Sequence, residues 1–224
     1  MIYRMGIISR RDGVSEDEFR RHWIEIHGSL AQKLAGLDSY RQNHIRERIF
    51  EARPSPLQQI DGFSQLRFAS IAAMEKAEAS PGYAAVKRDI PTFQGAITIL
   101  VLARQDIPVA APGALNAKLM WISRLRQDRE ERNWDVARAE WLGGMLRDVP
   151  GVTGAAQNLV VDKEHPVSAG VPQGAPAADA VTEVWFRDQD ALAEAVSRGD
   201  ADFLRRDPLL DALGVYRVEE RTIV

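Results

Sequence analysis

The chain has 224 residues, 45% of them hydrophobic and 27% charged, a balance that suits a folded globular protein and excludes global disorder. Its formal net charge is −3, so no overall positive field draws it to nucleic acid or to an anionic membrane surface. It has no cysteine, which removes disulfides, thiolate metal sites, iron–sulfur clusters and cysteine nucleophiles together.

The first ten residues are interrupted by Arg4 and lack the apolar core of a signal peptide. The longest apolar run, 96–103, is eight residues, against the roughly 20 that a spanning helix needs. A cytoplasmic protein is expected, and 24 arginines against 5 lysines point to a bacterial source. Residues 2–9 alternate like a strand. Ser15 and Glu18 form a Ser-x-x-Glu capping box that opens a helix over 15–35. Strands are expected over 40–45 and 63–68, helices over 71–79 and 82–89, and a last strand over 96–102.

The chain then repeats itself. Met5, Ile7, Arg11, Glu25, Gly28, Gly36, Gln42 and Asn43 recur as Met120, Ile122, Arg126, Glu140, Gly143, Gly151, Gln157 and Asn158. Asp61, Phe68, Ala73, Ala77 and Asp89 recur as Asp179, Phe186, Ala191, Ala195 and Asp207. The second copy predicts helices over 131–148 and 191–206 and a last strand over 215–220. Each copy reads β-α-β-β-α-β, the ferredoxin-like unit. The expected divisions are 1–105, a linker over 106–116, and 117–224. The expected fold is α+β: two tandem ferredoxin-like repeats whose bare sheet faces bury each other in a barrel closed within one chain, as a monomer or weak homodimer.

Phe19, Trp23, Ile26, His27, Leu30 and Leu34 follow helical spacing and place His27 on the buried stripe. On ideal α-helical geometry His22 lies about 140° away and reaches solvent, so the two imidazoles form no metal pair. Tyr40, Gln42 and His44 share one face of a strand, and Arg41, Asn43 and Ile45 the other. His44 is expected at the surface or rim, His165 in solvent, and Asp89 as a helix-end ion pair or a rim residue. No P-loop, Rossmann fingerprint, nucleophile elbow or H-E-x-x-H motif occurs, so neither a metal nor a cofactor is expected.

Phe19-x-x-x-Trp23-x-x-x-His27-Gly28-Ser29-Leu30, with Gly36-Leu37-x-x-Tyr40-x-Gln42 and Asp61-Gly62-Phe63-x-x-Leu66-x-Phe68, resembles the EthD family of the dimeric α/β barrel superfamily. Ser29 stands where that family usually has Pro, Gln65 where it has Glu, and Arg67 where it has Trp. The second copy is similar but eroded: Arg138 stands at the Trp23 position and Leu142 at the His27 position. The resemblance implies a superfamily that includes muconolactone methylisomerases, cofactor-free polyketide cyclases and haem-degrading monooxygenases. In several of these a histidine faces a pocket.

The expected function is a cofactor-independent isomerase, cyclase or lyase acting on a small apolar carbonyl compound or lactone. His27 would be its general acid/base and Tyr40 a hydrogen-bond partner, both catalytic. Phe19, Trp23, Gln42 and Asp89 would contact the substrate. One cavity is expected, in the first half, bounded by Trp23, His27 and Tyr40. Two alternatives remain: a haem-handling, monooxygenase-like protein with His27 as axial ligand, or a non-catalytic small-molecule-binding or stress protein.

Overall fold

The computed structural model of the chain describes residues 1–53, 59–114, 116–126, 133–163, 165–167, 170–174, 178–198 and 207–224. The first half is built from β1 (Ile2–Arg10), α1 (Glu16–His22), a π-helical turn (Trp23–His27), α2 (Gly28–Ala31), β2 (Leu37–Glu51), β3 (Gly62–Phe68), α3 (Ile71–Glu78), α4 (Pro81–Phe93) and β4 (Gln94–Ile107). The second is built from β5 (Ala117–Leu125), α5 (Trp134–Arg147), β6 (Val152–Asp162), β7 (Ala180–Phe186), α6 (Gln189–Ser197) and β8 (Leu210–Thr222). Of the helices expected over 131–148 and 191–206, the parts at 131–132 and 199–206 fall outside the described residues.

The ladders between these strands are all antiparallel, and the eight strands close into one barrel in the order β1-β3-β2-β8-β5-β7-β6-β4. Within each half the strands follow ferredoxin-like order, and β2–β8 and β4–β6 are the two seams between halves. Both seams lengthen strands beyond the sequence expectation. β2 runs on to Glu51 and β4 to Ile107 because the other half supplies partners for their outer N–H and C=O groups. The segment expected to begin the linker at 106 is therefore still strand.

Period-two alternation separates an inner core from two outer ones. Met5, Ile7, Phe63, Leu100 and Leu102 meet Met120, Ile122, Val181, Tyr216 and Val218 inside the barrel. Ile8, Leu66, Phe68, Ile99 and Val101 face the helices of the first half together with Phe19, Trp23, Tyr83 and Phe93. Leu119, Trp121, Val184, Phe186 and Val215 do the same for α5 and α6.

The connection after β6 reaches across to the first half. Val167 and Val171 join its helix-side core, and the amide of Ile97 donates to Pro172 O at 3.1 Å. His165 is buried rather than solvated, because its Nε2 lies 2.9 Å from Oε2 of Glu78, whose Oε1 is held by Arg4.

Candidate functional site

The first helix starts where the sequence places it. Glu18 N donates to Ser15 Oγ at 3.3 Å, and Ser15 N donates back to Glu18 Oε2 at 3.0 Å. It does not continue as a uniform α-helix. Over Trp23–His27 it widens into a π-helical turn in which Gly28 N donates to Trp23 O, five residues back. Gln42 Nε2 donates to the same carbonyl at 2.7 Å, so the strand beneath helps to hold the widened turn.

That turn overturns the expected separation of the two histidines. A helix whose hydrogen bond spans five residues turns less per residue than an α-helix, so His22 and His27 come to the same side. Both meet the carboxylate of Asp89 on α4: His22 Nε2 lies 2.8 Å from Oδ1, and His27 Nδ1 lies 2.8 Å from Oδ2. Phe93, one turn on, packs its ring against both, with centroids 4.7 Å from His22 and 5.0 Å from His27. Thr92 Oγ1 donates to Asp89 O at 2.6 Å and stands 3.4 Å from His22 Nε2.

Burial alone would raise the Asp89 carboxyl. The hydrogen bonds from His27 and His22, together with their charge, reverse that and hold its pKa below the ordinary aspartate value. Asp89 is thus an anion under working conditions. With the ring nitrogens nearest Asp89 engaged by it, the nitrogen left to exchange a proton is Nδ1 of His22 and Nε2 of His27. His27 Nε2 has no hydrogen-bond partner among the described residues, and the residue keeps 7% of its surface.

His22 lines a cleft of about 370 Å³ formed by the loop after β1, one face of the first helix and the end of α4. Val14, Ile26 and Phe93 give it apolar walls, and Glu18, Arg21 and Glu25 stand around it. Trp23, His27 and Tyr40 line none of the three clefts described, and the cleft beside this group opens at His22. His22 is the residue that sequence reasoning missed. Its signal was the five-residue spacing to His27, which an α-helix does not use.

The remaining candidates sit beneath this group. Tyr40 and Gln42 face the helices, and Asn43 and Ile45 face into the barrel. The Tyr40 hydroxyl accepts from Trp23 Nε1 at 2.9 Å and from Gln42 Nε2 at 3.0 Å. Burial pushes its pKa above the ordinary tyrosine value. Phe19 and Trp23 are sealed in the same core, their rings 5.4 Å apart. These four residues support the site from below, with the polar atoms of Trp23, Tyr40 and Gln42 bonded to one another and to His44. His44 is buried against Trp23, at 4.5 Å between rings, rather than at the rim. Its Nε2 lies 3.1 Å from Gln42 Oε1, its Nδ1 is sealed without a partner, and burial pushes its pKa down to about 3.

The second half builds something else in the same place. Arg138, at the Trp23 position, is fully buried and donates to Asp207 Oδ2 at 2.8 Å, Gln157 Oε1 at 3.0 Å and Thr182 Oγ1 at 2.8 Å. Asp207 recurs from Asp89, so one carboxylate serves two imidazoles and its counterpart serves one guanidinium. Among the described residues no group of three or more His, Asp or Glu side chains is arranged to hold a metal ion. No helix there is long and apolar enough to cross a membrane.

Comparison with known proteins places this geometry. The EthD domain model matches residues 11–95, which span the capping box, both histidines and Asp89. No curated protein matches the sequence. Among solved structures, an anthrone oxidase-like protein aligns over 99% of this chain and 93% of its own, with 10% identity and a TM-score of 0.61. A candidate monooxygenase from Lactobacillus acidophilus NCFM aligns over 99% and 94%, with 10% identity and a TM-score of 0.57. A candidate chlorite dismutase aligns over 97% and 94%, with 10% identity and a TM-score of 0.51. At such identities the likeness is one of fold. Residues 11–95 are thus similar to the EthD domain, and the chain as a whole has the dimeric α/β barrel fold, with both halves of the barrel supplied by one polypeptide.

Proposed function

We propose that this chain is a proton-transferring enzyme of small-molecule metabolism, acting without a cofactor on a small, mostly apolar carbonyl compound or lactone. Its acid/base group is the His22–Asp89–His27 cluster. The observation that carries this reading is the single carboxylate hydrogen-bonded at 2.8 Å to both imidazoles beside an open cleft. A carboxylate behind an imidazole fixes its tautomer and stabilises the imidazolium formed when the other nitrogen takes a proton. Removing a proton next to a carbonyl gives an enolate. Isomerisation, cyclisation and elimination all start from that step, and so does attack on molecular oxygen. This shared first step makes the reading compatible with oxidase- and monooxygenase-like names among proteins of the same fold. A positioned acid/base of this kind contributes about 10²–10⁴-fold.

The axial-ligand reading of His27 fits the residues poorly. Its carboxylate partner would suit a metal ligand. Its ring, however, is covered by Phe93 at 5.0 Å, it lines none of the described clefts, and the cleft at His22 is ringed by Glu18, Arg21 and Glu25.

The test is α-proton exchange in deuterated water across a panel of small enolisable ketones and lactones, read by proton NMR. The expected result is accelerated exchange on at least one compound, lost by about 10²-fold or more in Asp89→Asn and in His22→Ala. Exchange catalysed equally well by those variants would overturn the reading.

A further inference from the structure

A second cleft lies at the same end of the barrel, on the other side of the loop that follows β1. It is bounded by Arg10, Arg11 and Asp12, by Pro91 in the last turn of α4, by Gln94, and by Gly170 and Pro172 from the crossing segment of the second half. Its shape starts from a backbone irregularity. The β1–β4 ladder shifts register between Ser9 and Arg10, so that Arg10 pairs with Gln94. Gly95 allows this: a Cβ there would stand 2.7 Å from Arg10 O and 3.2 Å from Arg11 Cα. Arg11 N then donates to Phe93 O at 2.8 Å, pinning the loop.

Three features of this corner are not explained by folding. Gln94 is only 3% exposed, yet its Oε1 is sealed and has no hydrogen-bond partner. A buried amide left this way is costly. The guanidinium groups of Arg10 and Arg11 meet no carboxylate within ion-pair distance among the described residues. Arg11 makes only a 3.4 Å hydrogen bond to Pro91 O, and Asp61 takes the backbone amide of Arg10 rather than its side chain. Finally, the equivalent ladder positions of the second half are Leu125 and Leu210, which pack together with Leu209 in an ordinary apolar cluster. The fold is therefore content with leucine where the first half carries arginine and glutamine.

We infer that this cleft is a binding site for the oxyanion of a small molecule, a carboxylate or phosphate held by Arg10 and Arg11, with the amide nitrogen of Gln94, which unlike its oxygen is not sealed, as a further donor. Two guanidinium groups against the single carboxylate of Asp12 leave the cleft cationic, and forked donors match a planar or tetrahedral oxyanion. The site is confined to the first half, and the second half contributes its wall through Gly170 and Pro172. It stands independently of the acid/base reading, since its evidence is geometric and its readout is binding rather than turnover.

The experiment is titration of the intact chain with benzoate and, separately, with inorganic phosphate, followed by isothermal calorimetry and by amide chemical shifts around residues 10–12 and 94–96. Saturable binding of at least one anion is expected, and the tighter of the two names the ligand's charged group. Arg10→Gln and Arg11→Gln, both outside the core, should each weaken binding by roughly tenfold. Gln94→Leu should weaken binding while raising the melting temperature of the free protein, because it removes the unpaired amide. No saturable binding of either anion overturns the inference. So does binding that all three variants leave unchanged.

Discussion

Gln65 Nε2 donates to Glu183 Oε1 at 2.9 Å inside the barrel, and these two residues are counterparts, each paired in its own ladder with the equivalent methionine, Met5 or Met120. The pseudo-twofold axis of the duplicated chain thus passes through a polar contact rather than an apolar one. Glu183 is fully buried and also contacts Lys118 at 2.5 Å and Arg104 at 2.7 Å, while Lys118 reaches Asn43 Oδ1 at 2.8 Å and Glu220 at 2.6 Å. Having Gln rather than Glu at 65 avoids two carboxylates at this distance.

Glu183→Gln should destabilise the protein by about 3–5 kcal/mol at neutral pH, because it leaves the buried Lys118 and Arg104 short of their counter-charge. Burial would raise the Glu183 carboxyl, but the two cations hold it at about 2, below the ordinary 4.5. A depressed carboxyl contributes stability that is complete above 4.5 and is lost as the pH falls towards 2. Chemical denaturation at a series of pH values should show this acid loss in the parent and a flatter profile in the variant.

His44 titrates in the same direction for a different reason. Its folded pKa is about 3 against 6.5 unfolded, so between those values the unfolded chain binds the extra proton and stability falls as the solution is acidified. His44→Phe keeps an aromatic ring against Trp23 and removes the sealed, unpartnered Nδ1. Its stability should change less than that of the parent between pH 6.5 and 3, as read from melting temperatures across that range.

Trp23→Ala should cost on the order of 3–5 kcal/mol. The indole is fully buried, donates to Tyr40, and lies so close to Gly62 that a Cβ there would overlap its ring. An unchanged denaturation midpoint would contradict this. His27→Ala, in contrast, should lower activity far more than stability.

Arg138→Met tests the second half. It deprives Asp207 and Gln157 of a buried donor and should destabilise by about 3–5 kcal/mol. Proton-exchange activity per folded molecule should stay at the parent level, because the acid/base group lies in the other half. Loss of activity in a fully folded variant would show that the halves share one site.

The duplication, the strand order and most of the stripe from Phe19 to Leu34 were legible because they depend on periodicity and local caps, which a sequence displays directly; Ile26, expected on that stripe, is instead exposed and walls the open cleft. Asp89 was legible as a recurring residue, without its partners. The pairing of His22 with His27 was hidden, because α-helical spacing puts them on different faces and only the π-helical turn at Trp23–His27, held by Gln42 beneath it, brings them together. The barrel interior was hidden for a similar reason: nothing local in the sequence joins Lys118, Arg104 and Glu183, which meet only when closure of the two seams turns their strand faces inward.

The account rests on one carboxylate holding two imidazoles, and nitrogen-15 NMR of the histidine side chains tests that most directly. In the parent at a pH where both rings are neutral, His22 should carry its proton on Nε2 and His27 on Nδ1. In Asp89→Asn both resonances should shift and both tautomer preferences should relax. A His27 ring protonated on Nε2 in the parent, or two rings whose resonances ignore the substitution, would contradict the account.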